Sequence, residues 1–108
     1  MSRILNLGVA QLGPIARDEP RSSATSRMIE LMRDAHSRSV NLLVFPELAL
    51  TSFFPRWYLE EQSELERFFE TEMPGPETQP LFEAAAELGI GFYLCLLYTY
   101  PSPRDGLL

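Results

Sequence analysis

The stretch "NLLVFPELALTSFFPRWYL", residues 41 to 59, restricts the fold more than any other part of the chain. Its apolar run Leu42 to Phe45 has no polar alternation, and a strand of that kind is buried on both faces, as strands of parallel sheets are. Proline donates nothing to a ladder, so the strand ends at Pro46. Glu47 then stands at its carboxyl end. In open α/β sheets that edge borders the crevice where ligands and catalytic groups collect.

The rest of the chain supplies the partners such a strand needs. Residues 4 to 10, "ILNLGVA", read as a strand with Leu5, Leu7 and Val9 on one face. Asn6, Gly8 and Ala10 form the other, small face, which suits close packing. From about Ser23, the positions Ala24, Met28, Leu31, Met32 and Ala35 keep helical spacing, with Ser22 or Ser23 as the expected cap. "LEEQSELERFFE" reads as an exposed helix docking through Leu59, Leu65, Phe68 and Phe69. A break at "MPGP" precedes a helix from Glu77 with Leu81, Phe82, Ala85 and Leu88 on one face, stopped by Gly89. The run "IGFYLCLL" reads as a third strand. The order β-α-β-α-α-β predicts a parallel sheet covered by helices.

With 108 residues, 45% hydrophobic and 22% charged, the chain has the composition of one globular unit with a modest core. The formal net charge is −6, and all nine positive residues are arginines spread without a cluster, which argues against nucleic-acid or anionic-membrane partners. No lysine is present, so a reaction that needs an ammonium is not completed by these residues. The single cysteine, Cys95, forms no internal disulfide and fits a reducing, cytoplasmic compartment. No stretch approaches the roughly 18 apolar residues of a membrane span. The start "RILNLGVAQL" is interrupted by Asn6 and Gln11, so it reads as a strand and not as a secretory leader.

Taken on its residues, Glu47 has two readings. A partly buried carboxyl at a strand end has its pKa raised toward the range useful to a base. The same carboxyl also serves structurally when it pairs with an arginine or accepts backbone N–H groups. Arg56 and Trp57 either line the mouth of a pocket or staple their loop to the next helix. His36, near the end of the first helix, suits an interaction with the helix carboxyl end. Cys95, inside an apolar run, reads as a small core side chain. The acids of "LEEQSELERFFE" read as a solvated helix face and not as a metal cluster.

The segments "LGVAQLGPIAR", "VFPELALTSFFPRW" and "ETEMPGPETQPLFEAAAELGIGF" together resemble the amino-terminal part of the nitrilase superfamily of carbon-nitrogen hydrolases. "TSFFPRW" with "ETEMPGP" is similar to its N-carbamoyl-D-amino-acid amidohydrolase branch. The resemblance covers roughly residues 4 to 92, so 1–94 reads as the amino-terminal portion of such a domain. Residues 95–108, ending "YPSPRDGLL", read as a disordered or artefactual tail outside it.

The resemblance implies an α/β fold, the first part of a four-layer α-β-β-α sandwich, in a whole protein that is a homo-oligomer. It also implies a Glu-Lys-Cys triad that hydrolyses N-carbamoyl-D-amino acids without metal or organic cofactor. The glutamate of the "FPE" motif falls on Glu47, in the role of general base. The family nucleophile lies far downstream, which excludes Cys95 from that role. An amidohydrolase fragment, inactive alone, is therefore the leading expectation, and a small non-catalytic α/β binding module is the alternative. Removal of the second sheet from such a sandwich would leave a large apolar face exposed and the fragment prone to aggregate.

Overall fold

The computed structural model describes residues 2–96, the Arg56 side chain excepted. Three short strands, β1 (Leu7–Val9), β2 (Leu42–Val44) and β3 (Gly91–Tyr93), form one parallel sheet in the order β1-β2-β3. Helices α1 (Arg21–Ser37), α2 (Gln62–Glu66) and α3 (Gln79–Leu88) complete the expected order, with a 3₁₀ turn at Phe54–Arg56 after β2. Register pairs Gly8 with Leu43 and Leu43 with Phe92. Those three residues therefore share one face of the sheet.

That face carries the core. Met28, Met32 and Ala35 of α1 and Leu81, Ala84 and Ala85 of α3 pack with Ala10, Leu43, Phe45 and Ile90. The small side of β1 faces inward because the connection between α1 and β2 approaches closely there: a Cβ on Gly8 would come within 3.1 Å of Val40 Cγ1. Thr25, buried on α1, donates to the carbonyl of Glu77 at 3.0 Å and ties α1 to the turn before α3. Gly89 ends α3 at φ 67, a left-handed conformation that costs other residues more.

The opposite face of the sheet is bare. Leu7, Val9 and Tyr93 point away from the helices and are 58%, 79% and 62% exposed. Leu42 and Val44, half-buried, complete an apolar surface with them. Ile4 and Leu5, 86% and 64% exposed, extend it beyond the strand. Exposed apolar surface of this extent is uncommon on an isolated soluble chain.

Several boundaries differ from expectation for physical reasons. β1 starts at Leu7 because Asn6 is occupied otherwise: its amide N–H and side-chain Nδ2 donate to Asn41 Oδ1 and the carbonyl of Ser39, both at 2.9 Å. Helix α1 begins at Arg21 on Pro20, with no side-chain cap, so neither Ser22 nor Ser23 caps it. Ser23 instead donates to Glu19 at 2.8 Å. The helix expected over "LEEQSELERFFE" shrinks to the five residues of α2, since Arg21 takes the carbonyls of Arg67 and Phe69 and holds that segment outside the helix. Phe68 does dock, stacked on Phe54 with ring centroids 4.8 Å apart. The tail expected over 95–108 lies, from residue 97 onward, outside the described residues.

Candidate active site

The loops that leave β1 and β2 at their carboxyl ends face each other across a cleft of about 370 Å³. Residues 12–17 of the β1–α1 loop form one wall, and residues 46–49, 51–53 and Trp57 form the other. Parallel strands deliver both loops to the same edge, which is why the cleft opens there. Its walls mix apolar side chains and backbone with the charges of Arg17 and Glu47.

Glu47 opens the turn that follows β2. The next residue, Leu48, is held at φ 50, a left-handed conformation unusual for a bulky side chain. Neighbouring hydrogen bonds keep it there, with Ala49 N donating to the carbonyl of Cys95 at 3.2 Å and Thr51 N to that of Leu48 at 3.3 Å. Strain of this kind, of order 1–3 kcal/mol, collects at functional sites. The sharp turn leaves the Glu47 side chain at the rim. It is exposed, so the partial burial expected from the sequence is not observed.

Among the described residues Glu47 makes no hydrogen bond and no ion pair, so the structural alternative, a partner arginine or backbone amide, is not realised there. Trp57 lines the cleft as its first reading expects, while its ring contact joins the β1–α1 loop and not the next helix. The ring lies under the Arg17 guanidinium at 5.1 Å, which joins the two walls. His36 sits in the last turn of α1, away from the cleft. Cys95 is half-buried, borders β3, and does not line the cleft.

Sequence reasoning missed three groups near the cleft. Ser52, in the wall beside Glu47, is 4% exposed, and its hydroxyl has no hydrogen-bond partner. Arg27 and Glu19 hold the opposite loop through an ion pair at 3.0 Å. Their spacing crosses a loop of irregular backbone, where periodicity carries no signal. Among the described residues, no group of three histidines, cysteines or acids is placed to hold a metal ion. No helix among them is long and apolar enough to cross a membrane.

Comparison with known proteins decides the family, since the carbon-nitrogen hydrolase family matches residues 6–103. The chain belongs to the carbon-nitrogen hydrolases. It is also 37% identical over 93 residues to a protein called nitrilase 2 from an unknown prokaryotic organism. That alignment takes in 80% of this chain and 29% of the relative, so the chain spans under a third of that relative's length. Within the carbon-nitrogen hydrolase match, the β2 edge, the Glu47 turn and both walls of the cleft are all included.

Proposed function

We propose that this chain is the amino-terminal part of a hydrolase that cleaves N-carbamoyl-D-amino acids, and that Glu47 is its general base. The observation that carries the reading is the position of Glu47: an unpaired carboxylate at the carboxyl edge of a parallel sheet, on a cleft sized for a small molecule. Family membership supports the reaction class, and the "TSFFPRW" and "ETEMPGP" segments support the narrower substrate.

The chemistry runs in two halves. Glu47 takes the proton of a cysteine thiol supplied by the remainder of the protein, and the thiolate adds to the carbamoyl carbon. A lysine ammonium, also from the remainder, stabilises the oxyanion. The C–N bond to the amino acid breaks, and Glu47 returns its proton to the departing amine. Water, deprotonated by Glu47, then releases carbamic acid from sulfur, which decomposes to carbon dioxide and ammonia. No lysine occurs in these 108 residues, so the chain alone does not complete this cycle.

The bare face of the sheet supports the remainder of the reading. A second sheet packed on Leu7, Val9, Val44 and Tyr93 would complete a four-layer α-β-β-α sandwich, and the whole protein would assemble further as a homo-oligomer in the cytoplasm.

The test is to read the source locus through and beyond the codon for Leu94, express the frame found there, and measure ammonia release from N-carbamoyl-D-amino acids, their L-isomers and simple nitriles. Carbamoyl hydrolysis with D preference is expected, and Glu47→Gln should lower kcat by about 10²- to 10⁴-fold with KM little changed. Hydrolysis of nitriles alone would overturn the substrate assignment. Full turnover by Glu47→Gln would overturn the role of Glu47.

A further inference from the structure

One guanidinium fixes the wall of the cleft that faces Glu47. Arg27, on α1, donates from Nη2 to the carbonyl of Leu12 at 2.6 Å and from Nη1 to Glu19 Oε2 at 3.0 Å. Glu19 closes the circuit, since its Oε1 accepts from Ala16 N at 3.1 Å and its Oε2 from Ser23 Oγ at 2.8 Å. The beginning, middle and end of the stretch 12–19 are thereby tied to α1. Gly13 accommodates the clamp: it takes φ 84, and a Cβ there would come within 3.3 Å of Arg27 Nη2.

The clamped stretch supplies the whole of that wall, residues 12–17, and its tip reaches across the cleft. There Arg17 covers the Trp57 ring, while its carbonyl accepts from Arg67 Nη2 at 3.1 Å. A contrasting pair lies at the carboxyl end of the same helix, with Arg38 just past Ser37. Arg38 and Asp34 form an exposed i,i+4 bridge at 3.2 Å that spans one turn and is remote from the loop. Such a pair contributes little beyond local helix stability.

We propose that Arg27 is a positioning residue for the Glu47 cleft: with Glu19 it sets how closely the β1–α1 loop approaches the Trp57 loop, and so the width left for a small substrate. The fork geometry is essential, because two acceptors in different directions are held by one planar group. A lysine, a single point charge, does not span both. The functional meaning of this device rests on the cleft being the substrate site, but its geometry is tested without turnover.

Trp57 is the only tryptophan and sits at the far end of the clamp, so it reports the approach of the two loops. Its emission maximum and its quenching by acrylamide would be compared in the 108-residue chain, in Arg27→Lys, in Arg27→Ala and in the control Arg38→Ala, each at matched far-ultraviolet circular dichroism. Both Arg27 variants should show red-shifted emission and stronger quenching, with Arg38→Ala unchanged. Wild-type emission and quenching in a folded Arg27→Ala would overturn the proposal. If Arg27→Ala does not fold, Glu19→Gln loosens the same loop, and an unchanged Trp57 signal there overturns it equally. A wild-type Trp57 as accessible as a free tryptophan analogue would also overturn it, since the loop would then not be held. None of these results bears on whether Glu47 is the base, which turnover of Glu47→Gln decides separately.

Discussion

Glu19 accepts three hydrogen bonds within one small volume, and its acidity shows it. The Ser23 hydroxyl first, then the Ala16 N–H and the Arg27 guanidinium, hold its carboxyl below the ordinary value of 4.5, while its partial burial works in the other direction. A carboxylate favoured in the folded state adds stability that is fully present above its unfolded value and is lost as pH falls through the depressed folded one. Arg17, Asp18, Arg21, Arg67 and Glu77 line the adjoining hollow with it, and Arg27 faces it from α1. Urea unfolding at pH values from neutral to about 3 should show an acid loss of stability that is smaller in Glu19→Gln. An identical acid limb in both chains would remove Glu19 from that account. Glu47 was legible in the sequence because a proline-terminated apolar run marks a strand edge. Glu19 and Arg27 were not, because their meeting depends on the path of a loop that has no period.

At the scale of elements, side chains decide where helices begin and stop. Arg21 stands in the first turn of α1, where propensity alone would favour an acid. It is there because its guanidinium reaches Glu70 at 2.5 Å and the carbonyls of Arg67 and Phe69 at 2.7 and 3.2 Å. These contacts fasten the segment after α2 to α1 and bring Phe68 onto Phe54. Arg21→Ala should lower stability by about 2 kcal/mol, because buried Glu70 loses its guanidinium partner, and thermal melts followed by circular dichroism would read the change. An unaltered midpoint would mean that the ion pair is dispensable. The type and order of the long elements were legible, since α1 and α3 carry clear apolar stripes and Gly89 a clear stop. The length of α2 was not: five helical residues are marginal in themselves, and a tertiary contact with Arg21 set their limit.

For the whole molecule, the two faces of the sheet have opposite fates. One is sealed by α1 and α3, and the other offers Leu7, Val9, Val44 and Tyr93 to solvent along a sheet whose edge strands pair with no further strand among the described residues. The isolated 108-residue chain should therefore associate with itself as concentration rises, as read by light scattering after size-exclusion chromatography. Leu7→Glu with Val9→Glu should reduce that association and leave the helical signal intact, since neither side chain enters the core. A monomer at all concentrations would show that the face is less adhesive than its composition implies. The parallel sheet was readable from the apolar run Leu42 to Phe45 and the order of elements, and its close-packed side at Gly8 from alternation in β1. Which residues meet across the cleft was not, since that depends on two loops whose ends are fixed by side chains far apart in sequence.

The bare face also has a meaning in time. On the proposed sandwich, a ribosome would release this amino-terminal part before the sheet that covers it, at roughly 5–20 residues per second. Throughout that interval Leu7, Val9 and Tyr93 would stand uncovered. The yield of a protein built this way would follow how long that interval lasts as much as how stable the finished fold is.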